Sequence, residues 1–207
     1  MIRIHHLNNS RSQRVLWLLE ELGLDYEIVK HQRDPESNLA PPSLEAVHPL
    51  GKSPLLEDGD DVLVESGAIL EFLVDRYGNG RLRPADGTPE ALQYLQLMHY
   101  AEGSAMLPLM LALYTGRLGD AAAPLQPRIR SEIERHFGYL DGLLEGREWF
   151  VGDNLTAADV QLSFPIQAAR LLHGLDTFPN LTRFRERVQQ RPAYQKAIAR
   201  GGAYAFD

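Results

Sequence analysis

The first part of the chain alternates between strand-like and helical patterns of apolar residues. IRIHHL at 2–7 alternates briefly and predicts a strand in which His5 and His6 point to opposite faces. Leucines at helical spacing follow as far as Gly23, and residues 26–29 read as a second strand. The chain therefore begins β-α-β, which implies parallel strands joined by a right-handed crossover.

A hairpin and a helix complete this region. The apolar residues after Pro54 and those at 62–64 flank an Asp58-Gly59 step, which is a strong hairpin signal. Glu65 and Ser66 then precede apolar residues at helical spacing. The order β-α-β, β-β-α predicts a small α/β sandwich over residues 1–78.

The rest of the chain is predicted to be helical. Residues 79–87 lose periodicity and form a linker, and Thr88-Pro89 is a good helix start. We expect one long helix over 89–115, bent at Pro108, and further helices around 129–144, from 157, at 181–190 and at 192–200. Thr156 and Asp159 form a capping box with a structural role. Residues 88–207 are thus an all-α domain.

Composition excludes several classes of function. The 207 residues are 44% hydrophobic with a net charge of −7 and dispersed basic residues, so we expect a packed core and no nucleic-acid partner. The N-terminus lacks a long apolar segment, and the apolar run at 106–114 is far too short to span a bilayer. These features predict a cytoplasmic protein without a membrane partner.

The chain contains no cysteine. Disulfides, thiolate metal sites and cysteine nucleophiles are therefore excluded, and any sulfur chemistry must come with a ligand. The seven histidines show no metal-ligand spacing, so no metal is expected.

Glu65 and Ser66 stand where a helix N-terminus would favour an anion. A carboxylate-binding corner is one interpretation of this pair. Simple N-capping by Ser66 is the other, and it is the simpler one for this segment alone.

Four motifs together resemble the cytosolic glutathione S-transferases over essentially the whole chain. They are SRSQRVLWLLEELGLDYEIV, HPLGKSPLLEDGD, VESGAILEFL and NLTAADV. The first two of these motifs resemble the bacterial and fungal branch of that superfamily more than its animal tyrosine classes. The resemblance implies a thioredoxin-like βαβ–ββα domain followed by a C-terminal helical-bundle domain.

The resemblance also implies a glutathione site. Its features would be a cis bond between Ser53 and Pro54 that offers the Ser53 backbone to the cysteinyl unit, Lys52 near the glycyl carboxylate, and Glu65 with Ser66 at the γ-glutamyl end. The alternatives are a trans proline beginning an edge strand and a solvated lysine.

Thiol activation requires a donor near the start of the first helix. A free thiol has a pKa near 8.5, and this pKa must fall by about two units for the thiol to be largely ionised at neutral pH. A fall of that size requires roughly 2.7 kcal/mol of preferential stabilisation of the thiolate. Ser10 is the first candidate. Asn9 takes this role if the loop is gapped by one residue, and Ser12 is the third, with helix capping as its alternative role. No tyrosine precedes Tyr26, so a tyrosine mechanism is not expected.

The second domain supplies the remaining candidates. Tyr100 and Ser104 are expected to line a pocket for the electrophile, although a core position is the alternative. Glu102 is a candidate for reaching glutathione in a partner subunit. The family implies a homodimer.

The predicted function is conjugation of the glutathione thiolate, as co-substrate, to small hydrophobic electrophiles in detoxification. A glutathione-dependent peroxidase is an alternative within the same class. A non-catalytic glutathione-binding regulator or ligand-binding protein is the alternative from another class.

Overall fold

A four-stranded sheet lies at the centre of the first part of the chain. In the computed structural model, which describes residues 1–206, the strands are β1 (Ile2–Leu7), β2 (Tyr26–His31), β3 (Leu55–Asp58) and β4 (Asp61–Leu63). Their order is β2-β1-β3-β4, with β1 parallel to β2 and the other two pairs antiparallel. The predicted parallel pair and the hairpin are both present.

Helices account for most of the remaining chain. They are α1 (Ser12–Leu22), α2 (Ser66–Tyr77), α3 (Pro89–Tyr100), α4 (Met106–Thr115), α5 (Gln126–Leu143), α6 (Ala157–Leu172), α7 (Pro179–Gln190) and α8 (Pro192–Gly201). An α/β region followed by helices confirms the predicted fold class.

The chain separates into two units by its internal contacts. The first contains residues 1–80 together with 189–205, and the second contains 81–188 with Phe206. Helix α8 thus belongs with the sheet, where it packs on α1. The boundaries predicted at 78 and 88 stay predictions.

Contacts at both ends of α8 attach it to α1. The Trp17 and Tyr194 rings pack edge to face, with their centroids 5.6 Å apart. Arg191 donates two hydrogen bonds to the Glu21 carboxylate, of 2.6 and 2.9 Å. Arg200 donates to Glu20 at 2.9 Å. The two ion-paired partners are 170 and 180 residues apart, so local sequence patterns do not reveal them.

The two faces of β1 contact different parts of the first unit. His6 faces α1, where its Nδ1 lies 2.8 Å from Ser12 Oγ. Leu7 faces the other way and packs with Leu55 and with Leu44 of the 3-10 turn Pro42–Leu44. His5 shares that face, where its Nδ1 lies 3.0 Å from His31 Nε2. The prediction that His5 and His6 point to opposite faces is confirmed.

The second unit is helical, with one correction to the predicted elements. The expected single helix over 89–115 is divided by a π-helical turn, Ala101–Ala105, rather than bent at Pro108. Within this turn the Met106 N–H bonds to Ala101 O, one residue further back than in an α-helix. Pro108 has no N–H for the Ser104 carbonyl and its ring crowds that turn, so the helix widens just before the proline.

The capping box at the start of α6 is present as predicted. Asp159 is fully buried, and its Oδ2 accepts hydrogen bonds from Thr156 N and Oγ1 at 2.8 and 2.9 Å. Its Oδ1 accepts from the Phe150 N–H at 2.8 Å, which attaches the preceding loop to the helix. Burial raises the pKa of Asp159 to about 6 despite these donors.

Candidate functional site

The loop between β1 and α1 is held in an unusual conformation at Asn9. Its φ is 52°, in the left-handed region that asparagine tolerates better than most residues. The Ala205 N–H donates to Asn9 Oδ1 at 2.8 Å, and Arg33 donates to the Asn9 carbonyl at 3.3 Å. The bond from the Ala205 N–H thus identifies the amide oxygen and fixes the orientation of the Asn9 carboxamide.

Ser10 is buried and belongs to a network of hydroxyl groups. Its Oγ lies 2.7 Å from Ser12 Oγ and 3.3 Å from Ser53 Oγ, and it accepts from the Ser12 N–H at 3.2 Å. Ser53 Oγ itself donates to the His5 carbonyl at 3.0 Å and accepts from the Leu7 N–H at 3.3 Å. The Ser10 hydroxyl therefore has acceptors within the protein and connects the loop to the turn before β3.

The turn before β3 has the predicted backbone. The Ser53–Pro54 peptide bond is cis. Pro54 is buried at the start of the strand, Ser53 is half-buried, and Lys52 is exposed beside them. The lysine ammonium is thus accessible to an anionic ligand at this turn.

Glu65 and Ser66 begin α2 in a way that differs from simple capping. Glu65 is the N-cap residue, is exposed, and has φ 64° and ψ 114°, a strained combination for a side chain of this size. Ser66 lies in the first turn and is 3% exposed. The Ser66 hydroxyl accepts a 2.6 Å hydrogen bond from Arg14 Nη2. The capping alternative for Ser66 is therefore wrong.

Arg14 was not recognised as a site residue from the sequence. It lies in α1, is 2% exposed, and directs its guanidinium to the first turn of α2. A buried cation beside helix N-terminal N–H groups makes this corner strongly favourable for a carboxylate. The available signal was a basic residue surrounded by buried positions of α1, but its partner Ser66 is 52 residues away.

Arg33 was also missed. It follows β2 and donates to the carbonyls of Asn8, Asn9 and Asn38, at 3.1, 3.3 and 3.0 Å. Burial lowers the pKa of Arg33. Its role is to fix the backbone of the Asn8–Asn9 turn.

The candidates in the second unit surround the π-helical turn. Tyr100 Oη lies 2.6 Å from His136 Nδ1, and its ring also contacts Tyr139. Burial raises the pKa of Tyr100 to about 12, so its hydroxyl is protonated at neutral pH. Glu102 and Ser104 are half-buried within the turn.

Neither a metal cluster nor a membrane span occurs in the described part of the chain. Among residues 1–206, no three His, Asp or Glu side chains are arranged to hold a metal ion. None of the helices in that range combines the length and apolar character needed to cross a bilayer.

Comparisons with known proteins agree with this geometry. Residues 2–75 match the family model "Glutathione S-transferase, N-terminal domain", and residues 98–192 match "Glutathione S-transferase, C-terminal domain". Glutathione S-transferase 3 of Schizosaccharomyces pombe is 35% identical over 93% of this chain and 85% of its own length. The chain belongs to the glutathione S-transferase family.

Solved structures of glutathione transferases extend the similarity to the fold. One from Actinobacillus pleuropneumoniae has a TM-score of 0.91 and 38% identity, covering 100% of this chain and 95% of that one. A family member from Pseudomonas fluorescens, solved with two glutathione molecules bound, has a TM-score of 0.79 and 30% identity, covering 95% and 91%. The predicted enzyme class and the thioredoxin-like fold of the first unit are confirmed.

Proposed function

We propose that this glutathione transferase conjugates the glutathione thiolate to small hydrophobic electrophiles. The observation that carries the proposal is the buried Arg14 bonded to Ser66 in the first turn of α2. The γ-glutamyl end of glutathione carries a carboxylate, which a helix N-terminus with an adjacent guanidinium would bind.

The other ends of glutathione have candidate partners in the same unit. Glu65 is exposed at the strained start of α2, where its carboxylate would pair with the γ-glutamyl ammonium. Lys52 is exposed and would pair with the glycyl carboxylate. The Ser53 backbone would bond to the cysteinyl unit in the manner of a short strand.

Glutathione binding tests this site. Calorimetry should detect binding at millimolar glutathione or below, and Ser66→Ala should weaken it about tenfold because Arg14 and the ligand lose a shared partner. Ser131→Ala is the matched control, since Ser131 lies in α5 and its hydroxyl donates to the Arg128 carbonyl of the same helix. Absence of binding to the unmodified protein would overturn the proposal.

Turnover tests the reaction separately. Conjugation of glutathione to an aryl halide, followed by absorbance, should be positive. A protein that binds glutathione but conjugates no electrophile would be the non-catalytic binding protein instead.

Asn9 is the proposed activator of the thiol, in place of Ser10, which the sequence ranks first. Support comes from the buried Ser10 hydroxyl, whose hydrogen has acceptors on Ser12 and Ser53. The Asn9 carboxamide is only half-buried, and its oxygen is fixed by Ala205. Its Nδ2 could then donate to the thiolate at the start of α1, where the helix dipole adds to the effect.

The thiol pKa distinguishes the two residues. Asn9→Ala should raise the pKa of bound glutathione toward 8.5, by about two units, as followed by thiolate absorbance against pH. Ser10→Ala should lower the free energy of unfolding and leave this pKa unchanged. Ala205→Pro removes the N–H that orients Asn9 and should raise the thiol pKa less than Asn9→Ala does. The opposite ranking of Asn9 and Ser10 would restore Ser10 as the activator.

The second unit contributes the remaining proposals. Tyr100 and Ser104 are proposed for the electrophile pocket, and Glu102 for the glutathione of a partner subunit. A homodimer is proposed because α3 and α4 expose several leucines, namely Leu92, Leu95, Leu107 and Leu111. Light scattering should give twice the mass of one polypeptide. If a monomeric form bound glutathione as tightly as the dimer, the proposed role of Glu102 would be excluded.

A further inference from the structure

Four polar side chains are connected by hydrogen bonds along the face of the sheet that bears His5. Ser43 Oγ lies 2.8 Å from His31 Nδ1, and His31 Nε2 lies 3.0 Å from His5 Nδ1. His5 Nε2 lies 2.9 Å from Glu57 Oε1. None of these four residues belongs to the proposed glutathione site.

The carboxylate end of this row of hydrogen bonds determines which nitrogen of His5 carries a proton. Glu57 is ionised, since the hydrogen bond from His5 and then that from Arg3 lower its pKa. A carboxylate only accepts, so His5 Nε2 carries a proton. When His5 carries only this proton, its Nδ1 atom is an acceptor, which requires a proton on His31 Nε2.

The last step concerns His31 and Ser43. Burial lowers the pKa of His31, so His31 is neutral at neutral pH. With its proton on Nε2, its Nδ1 lone pair faces the Ser43 hydroxyl. In this state Ser43 donates its hydrogen to His31.

This order of groups is the one that activates a hydroxyl nucleophile. A base contacts the hydroxyl and is oriented by a further group that ends in a carboxylate. Positive charge formed on His31 can move to His5, beside Glu57, by transfer of the shared proton. His31 and His5 are only 8% and 4% exposed, while Ser43 is exposed, so the nucleophile is accessible and its base is shielded from water.

Local structure holds Ser43 in place. Pro41 and Pro42 begin the 3-10 turn, and Leu44 is fully buried against Leu7 and Leu55. The Leu44 and Glu45 N–H groups bond to the carbonyls of the two prolines at 3.1 and 3.0 Å. A rigid turn keeps the serine in reach of His31 without further ordering.

We propose that Ser43 is a second reactive centre of this protein, an activated serine that accepts an acyl group from activated esters such as small aryl esters. Ser43 Oγ attacks the ester carbonyl carbon, and its proton passes to His31 Nδ1. The bond between the carbonyl carbon and the aryl oxygen breaks, and the aryloxide takes this proton and leaves as the phenol. The products are O-acylated Ser43 and one phenol, with no other reactant.

Acylation by p-nitrophenyl acetate tests the proposal on the full chain. Release of nitrophenol and peptide mapping by mass spectrometry should show one acetyl group, on Ser43. Ser43→Ala should abolish this label, and His31→Gln should slow it about a hundredfold, the range expected for loss of a general base. Glu57→Gln should slow it less, because the two imidazoles remain.

Ser37 provides a matched control within the same segment. It is an exposed serine whose Oγ donates to the Asp34 carboxylate at 2.8 Å, with no imidazole partner. Equal labelling of Ser37 and Ser43, or labelling of lysines alone, would overturn the proposal. So would a His31→Gln protein that is folded by circular dichroism and labels Ser43 at the original rate. Should His31→Gln not fold, an unchanged rate in Glu57→Gln would decide against the proposal.

Discussion

His5 and His6 are neighbours in β1, and each begins a chain of hydrogen bonds that leads to a serine. On one face His5 connects through His31 to the exposed Ser43. On the other face His6 Nδ1 lies 2.8 Å from Ser12 Oγ, which lies 2.7 Å from the buried Ser10. Similar chemical groups thus serve two different purposes in one strand.

The far end of each chain accounts for the difference. His5 bonds to the Glu57 carboxylate, which requires a proton on His5 Nε2 and can stabilise a charged imidazole. Within residues 1–206 no carboxylate bonds to His6, and burial, followed by Lys30 and His31, lowers the pKa of His6 to about 4. A histidine that resists protonation this strongly supports a hydrogen-bond network but is a poor base. The comparison separates a reactive hydroxyl from a structural one.

The largest expected effect is a loss of stability in acid that originates from His6. Its pKa is about 4 in the folded protein and 6.5 in the unfolded chain. Its stabilising contribution is therefore complete above pH 6.5 and is lost as pH falls toward 4, by about 3 kcal/mol. Urea unfolding at a series of pH values should show this loss, and His6→Gln should reduce it.

A second histidine calibrates this result. His31 also has a lowered pKa, so His31→Gln should reduce the loss of stability in acid as well. If the His6→Gln variant lost as much stability in acid as the unmodified protein, His6 would not be the source of that loss.

Removing the serine that contacts His6 and the serine that contacts His31 should have unequal costs. Ser12→Ala leaves His6 and Ser10 without their shared partner in a buried site, and should lower the free energy of unfolding by about 2 kcal/mol. Ser43→Ala changes an exposed position and should cost about 0.5 kcal/mol or less. Urea denaturation of both variants measures the contrast, and equal costs would contradict it.

The end of α8 lies close to His6, and substituting Gly201 there should have a smaller effect on stability. A Cβ atom on Gly201 would lie 2.9 Å from Gln13 Oε1, 3.0 Å from Leu16 Cδ1 and 3.3 Å from His6 Nε2. Gly201→Ala should therefore not gain the roughly 1 kcal/mol that alanine gives in an open helix, and should be neutral or destabilising.

Gly142 in α5 is the matched control for this substitution. Apart from the adjacent residues and the backbone of α5 itself, no atom of residues 1–206 would lie within 4 Å of a Cβ atom there, so Gly142→Ala should stabilise by about 1 kcal/mol. Thermal unfolding compares the two variants, and equal stabilisation by both would show that the end of α8 is not packed against His6.

Local sequence patterns were sufficient for the elements but not for the networks. The alternation of IRIHHL predicted the opposite directions of His5 and His6, and the hairpin and α6 cap followed from turn and capping residues. These features depend on neighbours within a few positions. The division of the predicted helix over 89–115 was missed, because a proline shows where a helix is disturbed but not how the backbone adjusts.

The candidate site was predicted where the residues themselves are adjacent in sequence. Ser53-Pro54 and Glu65-Ser66 are such pairs. The bond of Arg14 to Ser66 spans 52 residues, and that of Asn9 to Ala205 spans 196. No spacing rule reaches across such separations, so Arg14 and the C-terminal support of Asn9 appear only in the folded chain.

The smallest expected effect on stability is that of Glu57→Gln, which also tests most directly the direction of the hydrogen bonds between Glu57 and Ser43. Glu57→Gln replaces a pure acceptor with a group that can also donate, so the chain through His5 and His31 loses its fixed direction. Imidazole nitrogen chemical shifts should show protons on Nε2 of His5 and His31 in the unmodified protein, and a mixture of tautomers in the variant. The free energy of unfolding should change by less than about 1 kcal/mol, because Glu57 is partly exposed. His6 is the internal control, since its nitrogen signals should not move in this variant. A proton fixed on Nδ1 of His31 in the unmodified protein would show that Ser43 accepts a hydrogen bond rather than donates one. The hydrogen bonds that begin at His5 would then not activate Ser43.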